Sequence, residues 1–243
     1  MKHLKTILSV MVLMLAFSCT KNQAEGNGQV SFSLSSKLEL ADVTKSSVSQ
    51  FTTLPSAQNF TITIKNASDA TVFTGLISEW DEATLLPVGT YTVTATYGSL
   101  EEEGFDKPFF TGTADFTVKG GEQTSVSIPV SLGNAIVRMT FTEAFNNYYP
   151  DYTFKLSRDG QEIAVFEKGE TRAVFVDPWK FKLEGTLIGE MKTSTFSKEY
   201  SNLLEATAYT FNFDVTNVGG GAITIRFNDT VETIELGDHE LND

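Results

Sequence analysis

The only thiol in the chain, Cys19, ends a short apolar run, and its position there implies acyl chemistry. Lys2 and Lys5 give a positive start, the 11 residues from Ile7 to Phe17 are mostly apolar, and Ala16-Phe17-Ser18 leads directly into the thiol. That order is the pattern of a bacterial lipoprotein signal peptide: a diacylglycerol on the Cys19 sulfur, cleavage after Ser18, and acylation of the amine that cleavage exposes. The competing readings are an ordinary secretory peptide with an incidental cysteine, and a membrane-spanning anchor. The second needs about 20 apolar residues and fails on length.

Beyond Cys19 the inventory for catalysis is thin. After residue 18 the sequence holds one histidine, His239, close to its end. An imidazole four residues from a sequence end that is expected to fray is poorly placed for a Ser-His-Asp triad, one histidine cannot build a multi-histidine zinc site, and no further thiol remains as a cysteine nucleophile. Two carboxylates suffice for glycoside hydrolysis, but no pair among the acids stands apart. No catalytic residue, metal ligand or cofactor is assigned, and the expectation is a protein that is not an enzyme. Glu101-Glu102-Glu103 with Asp106 offers carboxylate oxygens to calcium. It lacks the alternating aspartates of a dedicated loop, so the expected form is a solvated acidic loop. Gly219-Gly220-Gly221 lies between two strand patterns with no helix after it, which makes it a hairpin tip rather than a phosphate loop.

Four aromatics are candidates for stacking against a sugar ring: Trp80, Tyr148, Tyr149 and Trp179. Trp80 sits in Ser78-Glu79-Trp80-Asp81-Glu82 and Trp179 follows Asp177-Pro178, so both stand beside groups able to bond hydroxyls. The plainer role of a large aromatic is to fill the end of a core, and that is the expected role of both tryptophans. Tyr148 and Tyr149 are adjacent, so they cannot both face one side of a strand.

Charge narrows the partners. Of 18 lysines and arginines, Lys2 and Lys5 precede Cys19, so 16 basic residues face 31 acidic ones after cleavage, a formal charge of −15. Such a chain repels phosphates and anionic head groups, which argues against nucleic acid and against polybasic membrane docking. Membrane attachment then falls to the lipid.

The elements that must position these residues read as strands. Apolar residues recur at every second position in Val30 to Leu34, Phe60 to Ile64, Tyr91 to Tyr97, Phe116 to Val118 and Val126 to Leu132. Lys119-Gly120-Gly121-Glu122 is a hairpin turn by composition, and Pro129 places its strand at an edge or turns its backbone outward. After Gly133-Asn134 the pattern restarts with Ile136 to Phe141, then Tyr152 to Leu156 and Ile163 to Phe166 around an Asp159-Gly160 turn. Ala173 to Val176, Phe181 to Leu183, Tyr209 to Phe213, Ile223 to Phe227 and Val231 to Leu236 complete the set. No long amphipathic helix is present. The expected fold is all-β, two tandem antiparallel β-sandwich domains. The expected division is a signal peptide at 1–18, lipidated Cys19 and tether at 19–28, and sandwiches at 29–133 and 134–243. A faint echo, Leu86 to Val93 against Leu204 to Phe211, shares Leu, Tyr and Thr at an offset of 118 residues.

Leu86-Pro87-Val88-Gly89-Thr90-Tyr91, the acids Glu101 to Glu103, Gly104-Phe105-Asp106-Lys107-Pro108-Phe109-Phe110-Thr111-Gly112, and the run from Leu132 to Val137 together carry a resemblance. Over most of its length after Cys19 the chain resembles the domain-of-unknown-function 4493 family of gut Bacteroidetes lipoproteins, which is similar to the fimbrillin-like proteins. The resemblance implies transthyretin-like (fimbrillin-like) sandwiches and no settled activity. It also implies that shaft subunits of the fimbrillin-like type lose their first strand by cleavage after a loop arginine. Here the first arginine is Arg138, in the second expected sandwich. The expected function is that of a lipid-anchored outer-membrane protein at the cell surface, a non-catalytic adhesion or pilus-assembly component acting as anchor or accessory. The alternative is a glycan-binding lipoprotein of a polysaccharide uptake system.

Cys19→Ser is expected to abolish acylation and to move the protein from membrane to soluble fractions, since one acyl chain holds marginally and two or more hold firmly. A variant that stays with membranes after a salt wash would refute the lipid anchor.

Overall fold

The structure, a computed structural model, describes residues 26–37, 47–190 and 192–215 in full and the backbone of 222–227, 230–235 and 237–239. Cys19 and Gly219 to Gly221 lie outside the described residues. The chain folds into two tandem β-sandwiches, antiparallel apart from one parallel pairing in each. Among the described residues no helix is long and apolar enough to cross a membrane.

The first sandwich contains β1 (Asn27–Lys37), β2 (Thr61–Asn66), β3 (Thr71–Leu76), β4 (Leu86–Pro87), β5 (Gly89–Tyr97), β7 (Phe110–Val118) and β8 (Gln123–Leu132), with β6 (Gly104–Phe105) falling between β5 and β7 in the chain but outside this sheet. Its strand order is β3-β2-β5-β7-β8-β1-β4. The halves β3-β2-β5-β7 and β8-β1-β4 enclose one apolar cluster, because inward positions such as Ile62, Val93, Val118, Val30 and Ile128 are all fully buried. Outward positions alternate with them and carry hydroxyls. Thr74, Thr63, Thr94 and Thr113 form one row across four strands, and Ser31 faces Ser125 on the opposite side.

The second sandwich follows with β9 (Ala135–Phe141), a short helix α1 (Glu143–Tyr148), β10 (Asp151–Arg158), β11 (Gln161–Glu167), β12 (Val174–Val176) and β13 (Lys180–Ile188). It continues through β14 (Thr193–Ser201), β15 (Thr207–Val215), β16 (Ala222–Phe227), β17 (Thr230–Glu235) and β18 (Gly237–His239). One sheet has the order β11-β10-β13-β14-β18 and the other β17-β16-β15-β9-β12-β6. Their shared core is aromatic: Phe145, Phe154, Phe166, Phe181, Phe211 and Phe213 are all at most 1% exposed. Thr142 caps α1, its hydroxyl accepting from the Phe145 N–H at 3.1 Å. The β10–β11 hairpin turns on Asp159 and Gly160, both at positive φ (48° and 84°), as a two-residue turn of matching twist demands.

The topology repeats. β3-β2-β5-β7 in the first sandwich corresponds to β11-β10-β13-β14 in the second, and β8-β1-β4 to β15-β9-β12. The sequence echo at an offset of 118 matches β5 to β15, which occupy different places in this scheme; the strand equivalent to β5 is β13.

Three local expectations change in the structure. β8 is interior rather than an edge, and Pro129 stands two residues past the last β7–β8 pair, Thr111 with Ser131, where that ladder ends. β1 starts at Asn27, inside the stretch read as tether, because Gly28 has no side chain to strike the Lys119 carbonyl; a Cβ there would sit 2.3 Å from it. His239, close to the end of the sequence, lies in β18 and pairs with Thr193.

Gly185 pairs with Phe196, and the ring lies over the glycine so closely that a Cβ would come within 2.1 Å of it. Gly185→Val is expected to lower stability by about 1–3 kcal/mol through overpacking. An unchanged urea midpoint at constant m would contradict this packing.

Candidate functional site

The acidic stretch keeps Glu101, Glu102 and Asp106 exposed, as expected of a solvated loop, but Glu103 and Phe105 make it also the seam between the sandwiches. Residues 98–109 leave the first sandwich after β5, cross to the second, and return at β7. At the turning point β6 adds to the second sandwich's sheet, Phe105 pairing with Val174 and Gly104 with Phe175. The Phe105 ring packs edge-on against Phe166 at 5.1 Å. Gly104 and Asp106 hold positive φ (132° and 55°) on either side of Phe105, which aims the ring into the neighbouring core.

Two arginines of the second sandwich bracket this strand. Arg158 Nη1 donates to Glu103 Oε2 at 2.6 Å, and the pair is largely buried, at 13% and 15% exposed. The remaining Arg158 donors bond the carbonyls of Lys180 and Asp177, while the Asp177 N–H donates to the other Glu103 oxygen at 2.6 Å. With each Arg158 nitrogen and both Glu103 oxygens hydrogen-bonded, the pair has the partners that make burying two charges tolerable. On the other flank Arg172 lies 4.4 Å from the Phe105 ring centroid and pairs with Asp106 at 3.2 Å and Glu170 at 2.7 Å. Arg138 completes the set, its guanidinium 5.5 Å from the ring of Phe51 in the first sandwich. All three arginines with described side chains thus touch the opposite sandwich. The contact is apolar between them, with Ile136, Phe175 and Ala208 of the second sandwich buried in the first core cluster.

Sequence reasoning did not find this seam. The signal was present in Gly104-Phe105, an apolar ring set among four carboxylates with no hydrophobic neighbour of its own. Among the described residues no group of three or more His, Cys, Asp or Glu is arranged to hold a metal ion.

The four aromatic candidates do not form one platform. The Trp80 indole N–H donates to the Val30 carbonyl at 2.9 Å, and its ring packs edge-on against Phe32 and Phe73 at 5.5 Å and 5.1 Å. It closes the side of the first sandwich between β1 and β3, the core-filling role expected of it. Tyr149 is buried beside Phe145, with Tyr148 against it. Burial, with a smaller contribution from the Tyr148 hydroxyl, pushes the Tyr149 phenol up to about 12. Trp179 is different: it is 54% exposed, with the Lys180 ammonium 4.6 Å from its ring centroid. α1 leads into Asp151, which pairs with Ile188, whereas Trp179 precedes Lys180 at the other end of β13. The tyrosines and Trp179 are therefore separated by about 26 Å of strand, at about 3.3 Å per residue. Lys180 also lines a polar groove of about 230 Å³ with Lys155, Ser157, Lys182 and Glu199.

The fold and seam define a two-sandwich β-protein whose halves are locked by a strand passed from the first to the second. The chain belongs to the family described as a domain of unknown function, DUF4493, whose model matches residues 26–237. No curated protein matches it. Among solved structures it is similar to a fimbrial assembly protein from Parabacteroides distasonis, at 8% identity and a TM-score of 0.45 over 88% of this chain and 99% of that one. It is also similar to the fimbrial anchor protein Mfa2 from Porphyromonas gingivalis, at 10% identity and a TM-score of 0.37 over 84% and 98% of the two chains.

Glu170 supplies a pH test of the seam. Hydrogen bonds from Arg172 hold its carboxyl at about 2, below the ordinary 4.5. A lowered carboxylate stabilises the fold above its unfolded pKa, and that contribution is lost as pH falls through the folded one. The difference in stability between the native chain and Glu170→Gln is expected to be constant above pH 4.5 and to shrink steadily toward pH 2. Parallel acid-unfolding curves for the two proteins would remove Glu170 from the seam's energetics.

Proposed function

We propose that this chain is a lipid-anchored outer-membrane protein displayed at the cell surface, a non-catalytic component of adhesion or pilus assembly. Its lipid is carried by Cys19, its tether runs from there to β1, its two sandwiches divide at 133–134, and its partners are other surface or pilus proteins. Within a pilus it acts as an anchor or accessory rather than a shaft subunit.

The observation that carries this reading is the state of β1. The strand is paired with β8 over nine residues, Gln29 with Gln123 through Lys37 with Ser131. Trp80 covers its free side by taking up the Val30 carbonyl. A shaft subunit must give this strand up, and the cut that would release it, as the resemblance implies, needs an arginine in an early loop. The first arginine, Arg138, lies within β9. A chain that keeps its first strand and carries its lipid on the adjoining tether is suited to hold a structure at the membrane.

Exposure of Trp179 beside Lys180 favours a second reading, binding of glycans at one end of the second sandwich. Flat aromatic faces next to charged and hydroxyl groups suit sugar rings.

Both readings meet one set of measurements in the native bacterium and on a soluble form starting at Thr20. Surface protease treatment is expected to degrade the protein on intact cells, and its N-terminus is expected at Cys19. Surface filaments built of this chain, with an N-terminus well beyond Cys19, would overturn the anchor reading. A glycan array hit that disappears with Trp179→Ala would transfer the conclusion to the second.

A further inference from the structure

Each sandwich opens with a strand paired parallel to a later one. β1 runs parallel to β8 over nine residue pairs, and β9 runs parallel to β15 over seven, Ala135 with Thr207 through Phe141 with Phe213. β8 and β9 are joined by Gly133 and Asn134 alone. We infer that these two ladders are mechanical clamps in series, which carry tension entering at the N-terminus through the first sandwich and into the second. The direction of the load rests on the anchoring proposed above; the clamp itself does not.

The argument is geometrical. Two parallel strands, one pulled from its N-terminal end and the other from its C-terminal end, are forced to slide along each other, so all the bonds between them resist together. Strands pulled apart at neighbouring ends open one bond at a time. β1 begins beside the turn that precedes β8: the Gly121 N–H donates to the Asn27 carbonyl at 2.9 Å and the Gln29 N–H to the Glu122 carbonyl at 3.0 Å. β8 leaves from the far end of the same ladder, through Leu132. Tension between the N-terminus and β9 therefore loads the whole ladder lengthwise. The Val30 carbonyl is turned away, to Trp80, so the alternate residues Gln29, Ser31 and Ser33 turn their backbone groups toward β8.

Side chains add to the resistance. Val30 is fully buried, and Phe32 is held edge-on between Trp80 at 5.5 Å and Phe116 at 5.6 Å. Sliding β1 by one residue would turn each of these apolar groups to the wrong face. In the second clamp Phe141 of β9 stacks on Phe213 of β15 at 5.4 Å, one ring from each strand of the pair.

The test is single-molecule pulling of the soluble chain from Thr20, which has no native thiol and so takes handles at chosen cysteines. Handles at residue 20 and at Glu143→Cys load the β1–β8 ladder lengthwise, because Glu143 follows β9. Handles at residue 20 and at Lys119→Cys open the same ladder from one end. Both substituted residues are exposed, and an unchanged circular dichroism spectrum confirms that each variant folds. At equal loading rate the first geometry is expected to need at least double the force of the second, since forced unfolding is governed by the barrier along the pulling direction. Equal forces, or a lower force in the first geometry, would overturn the clamp. The pulled chain lacks Cys19, so failure of the lipid anchor leaves this measurement untouched.

Discussion

Between Leu132, the last residue of β8, and Ala135, the first of β9, the chain has two residues in which to pass from one core to another. Gly133 approaches the Phe109 ring so closely that a Cβ would lie 2.7 Å from it, and its N–H donates to the Phe109 carbonyl at 2.8 Å. Asn134 is fully buried, its side-chain oxygen accepting from the Phe109 N–H and its carbonyl from the Ala206 N–H. A junction this short leaves the sandwiches no freedom to drift apart. Ile136 must enter the first core cluster, and Phe175 and Ala208 follow it there because they share its sheet face. The crossing of residues 98–109 is then a matter of reach, and the arginine pairs secure what the junction has already brought together. The cost is visible at Asn134, whose amide nitrogen has no hydrogen-bond partner, a penalty of about 1–3 kcal/mol that the surrounding packing must offset.

Much of the fold was legible because most strands have one apolar face and one hydroxylic face. β5 reads Tyr91, Val93 and Ala95 inward and threonine between them, and no other period fits. Strands without that alternation escaped notice. β3 carries Val72 and Leu76 outward, half-exposed, with Gly75 on the other face, so its apolar residues do not keep step. β14 offers only Phe196 and Tyr200, four residues apart, over nine positions. β6 is two residues long and exists only because another sandwich supplies its partner. The same physics limited the reading of the site. Counting carboxylates in Glu101 to Asp106 gave a solvated loop, since nothing local announces that Arg158 and Arg172, more than fifty residues later, will stand opposite. Trp80 was correctly read as a core plug, whereas its hydrogen bond to a strand edge depends on β1 lying fifty residues away in sequence.

Arginine is scarce here, with four among 18 basic residues. The seam uses it where lysine would serve poorly. Arg158 bonds three separate oxygens in fixed directions while largely buried, and Arg172 covers an aromatic face while holding two carboxylates. A planar, permanently charged group with several donors meets such demands, and an ammonium on a flexible stem does not. Lysines are left to exposed pairs such as Lys65 with Asp69 and Lys182 with Glu184, which contribute little.

The two sandwiches repeat one topology but differ in a single connection. Between β5 and β7 the first carries the twelve residues that reach across as β6; between the equivalent β13 and β14 the second has only residues 189–192, a tight turn closed by the Gly189 N–H on the Lys192 carbonyl at 2.9 Å. The first unit gives a strand to its successor, and among the described residues the second has no equivalent of β6 at this connection. Had the repeat of topology extended to this connection, each unit could have passed a strand to a neighbour. The shortened turn removes that hold from the second sandwich, so the lock between the two units runs one way, from the first to the second.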